Sequence, residues 1–174
     1  NYYGLISSVG AGMTDSKLPD AQSGFEKGIS VAMAALAGCN GISESSGMLA
    51  SLMGCSYESL VIDNEMLGVI MRTVKGIEVS DETLSLEVIK EAVFGDGHFL
   101  RSGQTLEKMK SEYFYPEILD RKSQLEWRED GSLDIRKRAE IKVKQILENH
   151  SPLYIDKKAD SLIRQNFPIQ IDFS

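Results

Sequence analysis

Asp15, Ser16 and Lys17 place an acid, a hydroxyl and an amine on three consecutive residues, and Glu44 supplies a second carboxylate further along. Paired carboxylates can divide general acid and general base roles if burial raises the pKa of one of them. A lysine in such a place can form a Schiff base once it is desolvated. The same residues also fit a plain connecting loop, in which Asp20 caps the next helix and Lys17 sits beside Asp15 as a solvated pair worth a few tenths of a kcal/mol. Gly10-Ala11-Gly12 lacks the third glycine of the dinucleotide fingerprint, so no phosphate cradle is expected. His98 and His150 lie in the charged part of the chain and read as surface residues. No Ser-His-Asp arrangement suggests itself. Cys39 and Cys55 form neither a disulfide framework nor metal-ligand spacing with the histidines. They read as small buried residues of a reduced, cytoplasmic protein, and no metal site is expected.

The elements that would hold these groups follow from periodicity. Residues 3–9 are apolar apart from Ser7 and Ser8 and read as a strand buried on both faces. A helix begins near Asp20, with Phe25, Ile29, Met33 and Leu36 at helical spacing and Gly38 at its C-terminal end. Gly41-Ile42-Ser43-Glu44 is too short for a helix and reads as a second strand. The resulting βαβ unit makes the strands parallel, so the loops after Val9 and after Glu44 open on one edge. The second loop, from Ser45 to Gly54, reads as small, polar and flexible, its methionines Met48 and Met53 as packing. Ser56 is the expected cap of a helix whose buried face carries Leu60, Leu67, Ile70, Met71 and Val74, with Asp63 and Glu65 on the opposite side. Two strands cannot complete a sheet, so residues 1–75 read as part of a barrel or open sheet with its other strands upstream. Asn1 in place of an initiator Met fits a chain that begins mid-protein.

Residues 1–75 carry 11 charged side chains and residues 76–174 carry 34, so the second part reads as a solvated helical layer. Ser80 with Asp81 and Glu82 starts a helix with Leu84, Val88, Ile89 and Ala92 on its stripe. A turn follows at Gly95-Asp96-Gly97-His98, then a helix from Thr105 to about Phe114. Residues 116–133 read as irregular. Asp134 caps a helix that Pro152 ends, Asp156 caps the last one, and residues 168–174 read as an extended arm. No apolar run reaches the roughly 20 residues needed to span a bilayer. A net charge of −7 argues against a nucleic-acid partner, which needs a basic face.

The opening stretch resembles the trimethylamine methyltransferase family of corrinoid-dependent enzymes. The likeness continues through Glu26-Lys27, Ala34-Ala35-Leu36-Ala37-Gly38, Gly47-Met48-Leu49, Ser56-Tyr57-Glu58, Ile62-Asp63-Asn64-Glu65-Met66-Leu67-Gly68 and Gly97-His98-Phe99-Leu100. It implies an α/β fold: the C-terminal part of a (β/α)8 TIM barrel in residues 1–78, followed in 79–174 by a helical tail packed on the barrel or on a neighbouring subunit. Methanogen members carry pyrrolysine, an electrophilic imine on a lysine-derived arm, just before the Thr14-Asp15-Ser16-Lys17 motif. That position is Met13 here, either a stand-in for pyrrolysine or a genuine replacement. The resemblance makes Met13, Asp15 and Glu44 the catalytic candidates, with Asp15 or Glu44 as the acid. Ser16, Lys17 and Gln22 are the candidates for substrate binding, and Asp15, Ser16 and Gln22 for orienting the imine ring. No cofactor would be bound directly. The methyl acceptor would be the cobalt(I) of a separate corrinoid protein docked over the barrel mouth.

Three readings follow. The first is methyl transfer from trimethylamine to the corrinoid protein, with pyrrolysine at position 13. The second is a pyrrolysine-free relative that demethylates a quaternary amine such as glycine betaine. An aromatic cage would be expected there, and residues 1–56 offer only Tyr2, Tyr3 and Phe25. The third is a barrel fragment inert by itself, acting in docking or oligomerisation. The size of the helical tail points to a homo-oligomer.

Overall fold

The computed structural model describes residues 3–150 and 154–169. Its first strand, β1 (Ser8–Gly10), pairs in parallel with β2 (Gly41–Ser43), joined by helix α1 (Ala21–Leu36). This is the βαβ unit that the apolar spacing predicts, with Ser8 opposite Gly41 and Gly10 opposite Ser43. Asp20 caps α1 by accepting from the Ser23 amide, and Gly38, at φ 82°, closes its end. The expected strand is shorter than its apolar run: pairing starts at Ser8, and β1 is exposed on both faces rather than buried.

The buried face of α1 also differs from expectation. Phe25, Ile29, Met33 and Leu36 point outward, while Ser23, Lys27 and Val31 are buried. The helix turns a polar and small-residue face onto α2 (Tyr57–Lys75). A compact protein of this mass exposes about 8,500 Å², and this chain exposes 13417 Å². Its apolar stripe is therefore unpartnered surface within the described residues. The core proper is small: Ala11, Val31 and Ile70, flanked by Ile42, Met66 and Leu67.

The loop after β2 is ordered rather than flexible. It holds a short antiparallel hairpin, β3 (Met48–Leu49) with β4 (Gly54–Cys55). Cys55 is exposed and Cys39 half-buried, both as free thiols, so the expected burial fails for Cys55. Ser56 caps α2 as expected, accepting from the Ser59 amide. Asp63 and Glu65, expected on the solvent side, are both buried. Asp63 takes several hydrogen-bond donors there and Glu65 takes one, on Oε1, which periodicity cannot reveal.

The predicted helix after Ser80 is broken in two. A capping box starts α3 (Asp81–Leu84), Ser85 takes a left-handed conformation, and α4 (Leu86–Phe94) follows. Helix α5 (Gly103–Ser111) starts two residues before the expected Thr105. Residues 116–133, expected irregular, contain α6 (Gln124–Glu129), whose Ser123 and Glu126 form a second capping box. Asp134 caps α7 (Ile135–Asn149), which lies along α2. Asp156 caps α8 (Lys157–Asn166). Pro152, Tyr2 and the arm beyond residue 169 lie outside the described residues. Among the described residues no helix is long and apolar enough to cross a membrane.

Candidate active site

The two loops at the C-terminal edge of β1 and β2 meet. Residues 12–16 alternate: Met13 and Asp15 are exposed, Gly12, Thr14 and Ser16 buried. The alternation sends the side chains of 13 and 15 out together and uses those of 14 and 16 as anchors. Thr14 Oγ1 donates to Glu26 Oε2 of α1 at 2.5 Å and accepts from the Ser16 amide at 3.0 Å. Ser16 Oγ donates to Asp20 Oδ1 at 2.8 Å and is also in reach of the Leu18 carbonyl.

Glu44 follows β2 directly, at φ 61°. Its carboxylate lies over the α-carbon of Gly10. A Cβ built there would stand 2.9 Å from Glu44 Oε2 and 3.7 Å from the Met13 Cε. The side chain at position 13 and a carboxylate thus converge beside the bare α-carbon of Gly10. Gly12 is required as a glycine. Its φ is 90°, and a Cβ would meet Ser45 Cα at 2.7 Å.

The hairpin closes the loop from the other side. Ala50 N donates to the Ser16 carbonyl at 2.8 Å, Ser51 N to the Thr14 carbonyl at 2.9 Å, and the Ser51 hydroxyl to Asp15 Oδ1. Ala50, Ser51 and Leu52 all have positive φ, at 50°, 56° and 68°. Left-handed backbone costs about 1–2 kcal/mol per residue outside glycine. These bonds to residues 14–16 help offset that strain.

A buried ion pair holds the base of the hairpin. Lys27 is fully buried, and its Nζ donates to Asp63 Oδ2 at 2.6 Å and to Ser59 Oγ at 2.8 Å. The same Asp63 oxygen accepts from the Gly47 amide at 2.7 Å. Adjacent residues of α1 therefore secure both loops: Glu26 the first, and Lys27, through Asp63, the second.

Among the predicted site residues, Met13 and Glu44 approach each other over Gly10, while Asp15 is exposed and held by the Ser51 hydroxyl. Ser16 is turned inward, where it shapes the turn and does not face the open side. Lys17 Nζ donates to the backbone carbonyl of Asp15 at 2.8 Å, so its bond is to the main chain and not the carboxylate pair expected. Gln22 Nε2 donates to Glu26 Oε1 at 2.9 Å. The Thr14 hydroxyl, with Gln22 and the Asp15 amide, holds the Glu26 carboxyl below its ordinary pKa, which suits an acceptor and not a proton donor. Asp20 is likewise lowered, by the Ser23 amide and the Ser16 hydroxyl. Glu26, Lys27 and Asp63 are the residues that loop-based reasoning passed over. Their signal lies at helical spacing: Glu26 and Ser30 are four apart on α1, as are Ser59 and Asp63 on α2.

Among the described residues no cluster of three or more His, Cys, Asp or Glu could hold a metal. His98 and His150 are exposed, as expected. Tyr3 and Phe25 stand exposed. A cavity of about 550 Å³ lies elsewhere, between the end of α2 and α3–α5. Its two basic groups are already engaged, Arg72 by Glu112 and Lys108 by Glu82.

Comparison with known proteins matches residues 1–168 to the trimethylamine methyltransferase (MTTB) family. The chain is 39% identical over 158 residues to the trimethylamine methyltransferase MttB of Methanosarcina thermophila, covering 89% of this chain and 32% of that protein. It is 32% identical over 163 residues to the glycine betaine methyltransferase of Desulfitobacterium hafniense, covering 94% of this chain and 34% of that protein. It is 36% identical over 163 residues to an MttB of Desulfitobacterium hafniense, covering 94% and 32%. The chain spans about a third of the length of these curated relatives. Carrying the family's pattern from the first strand to the last helix, the chain belongs to the trimethylamine methyltransferase (MTTB) family.

Proposed function

We propose that this chain forms the C-terminal part of a trimethylamine:corrinoid methyltransferase, with the βα units of a (β/α)8 barrel in residues 1–78 and a helical tail in 79–174. The observation that carries the reading is the convergence of the position-13 side chain and the Glu44 carboxylate over Gly10. Position 13 stands exposed at the tip of the first strand, on the edge where α/β folds collect their chemistry. The space above Gly10 fits the root of a long arm, so pyrrolysine at position 13 belongs to the proposal. Its imine carbon would supply an electrophile for the amine nitrogen, with a proton taken up at the imine nitrogen; the nitrogen, made quaternary, would then be a better leaving group from the methyl carbon. Glu44 is then the proton donor nearest that arm, and Asp15, fixed by the Ser51 hydroxyl, the second carboxylate.

The methyl group would pass to the cobalt(I) corrinoid of a separate protein. Holding the amine in line with that cobalt is the main task of the chain, since ideal positioning contributes on the order of 7–11 kcal/mol. The outward apolar stripe of α1 fits cover by the rest of the barrel or by a second subunit. A cytoplasmic setting fits the two free thiols.

A second reading rests on the Met at position 13 and on the likeness to the glycine betaine enzyme. A quaternary amine already carries the positive charge that makes nitrogen leave readily and needs no imine.

The test uses full-length protein, reduced corrinoid protein and methylated amines, followed by the change from the cobalt(I) to the methylcobalt absorption spectrum. Trimethylamine should drive that change, and the mass of residue 13 should exceed that of Met. Response to glycine betaine alone, with Met confirmed at 13, overturns the first reading in favour of the second. Glu44→Gln should lower kcat by about 10²-fold, the ordinary worth of a general acid.

A further inference from the structure

Position 13 is bracketed by three bonds to one face of α1. On its N-terminal side the Gly12 amide donates to Ser30 Oγ at 3.1 Å. On its C-terminal side Thr14 Oγ1 and the Asp15 amide both donate to Glu26 Oε2, at 2.5 and 3.0 Å. Glu26 and Ser30 are one helical turn apart and linked in turn, since Ser30 Oγ also reaches the Glu26 carbonyl at 2.8 Å. The residue between them has no freedom to move as a loop. Its backbone is tied to a helix on both sides.

We propose that Glu26 is a positioning residue for the group at position 13. This rests on the methyl-transfer reading and adds to it a residue that touches neither amine nor cobalt. The geometry favours Glu26 over its neighbours for this role. One carboxylate oxygen takes two donors from consecutive residues, and both donors lie directly after position 13. The other oxygen takes Gln22 Nε2 from the preceding turn of α1, which fixes the carboxylate's plane. Charge-assisted bonds of this kind are about twice as strong as neutral ones. Thr14 is buried and adds a second constraint, because its hydroxyl both donates to Glu26 and accepts from the Ser16 amide. Loss of the carboxylate would free residues 13–15 from α1 while leaving the hairpin bonds to residues 14 and 16 in place. The arm at position 13 would then sample directions away from Glu44. A misplacement of about 1 Å at a reacting group can cost about 10²-fold in rate.

Two readouts on the full-length protein test this. Hydrogen exchange of the peptide spanning residues 10–18 reads the anchor, since the Asp15 amide is itself one of the bonds. Glu26→Gln should speed that exchange at least tenfold while peptides from α2 keep their rates. Thr14→Val should do the same, and Thr14→Ser, which keeps the hydroxyl, should leave exchange slow. Steady-state methyl transfer reads the consequence. Glu26→Gln should lower kcat by about 10- to 100-fold with KM changed less than threefold, because the amine's own contacts are untouched. Unchanged exchange in both Glu26→Gln and Thr14→Val overturns the proposal. So does faster exchange with kcat unchanged, which would make Glu26 a structural residue alone. Absence of transfer by the unsubstituted protein overturns the methyltransferase reading instead, and the exchange arm by itself then decides whether Glu26 anchors position 13.

Discussion

The two halves of the chain bury different mixtures of residue: polar and apolar side chains up to the end of α2, apolar ones beyond it. Around the loops after β1 and β2 the buried side chains are largely polar: Thr14, Ser16, Ser23, Lys27, Ser59 and Asp63. Beyond α2 they are Ala92, Ile118, Ala139 and Val143, and ion pairs there lie on the surface, such as Lys90 with Glu87 and Arg101 with Asp96. Apolar packing joins helices but tolerates small shifts, because it is non-directional. Hydrogen bonds fix direction as well as distance. The loops after β1 and β2 rest on directional polar bonds beside the small apolar core of Ala11, Val31 and Ile70, whereas the buried side chains beyond α2 are apolar. Glu65 links the two, its buried Oε1 accepting from the Glu117 amide at 2.9 Å.

The largest effect should come from breaking the buried pair. Asp63→Ala leaves the Lys27 ammonium buried and unpaired and frees the Gly47 amide. A loss of about 3–5 kcal/mol is expected by denaturant unfolding. The double variant Lys27→Met/Asp63→Leu should recover most of that stability, as apolar replacements of buried pairs often do. Exchange in the hairpin should nevertheless stay fast, because Gly47 remains without its acceptor. Full protection of the hairpin in the double variant would show that packing alone holds the loop and would erase the contrast.

A middle-sized effect is expected on the other side. Ala139 is completely buried on α7, which lies along α2. Ala139→Leu overfills that contact and should cost about 1–3 kcal/mol. Exchange of residues 10–18 should not change. If it did, the loops would depend on the tail, and the two regions would not be separable.

The smallest effect is one of pH. Glu26 is held below the ordinary glutamate value of 4.5, first by the Thr14 hydroxyl. A carboxyl depressed in the folded state contributes stability that is complete above the unfolded value. That contribution is lost as the pH falls through the lower folded value. Protection of the Asp15 amide should therefore weaken below about pH 4.5, and in Glu26→Gln it should already be weak and no longer respond there.

Helix starts were legible because caps are local. Asp20, Ser56, Ser80, Asp134 and Asp156 each precede a helix, and each accepts a backbone amide of its first turn. The meeting of the two loops at one edge was legible too, from two parallel strands and the glycine that ends the first. The facing of the helices was not. Phe25, Ile29, Met33 and Leu36 mark a buried stripe by periodicity, yet they face out because nothing among the described residues covers them. Lys27 and Asp63 look like solvent-side charges for the same reason. A helical wheel ranks residues by hydrophobicity and cannot know that an acid and a base thirty-six positions apart will meet.

The sequence by itself determined the order of elements, the caps, the parallel pairing and the family, all of which depend on neighbours along the chain or on the pattern as a whole. Only the tertiary structure decided that Glu44 meets position 13 over Gly10, that Ser16 turns inward, and that Glu26 and Lys27 secure the two loops. Those facts depend on which residues distant in sequence come within hydrogen-bonding reach, and at around 3 Å a bond is made or lost by the packing of whole helices.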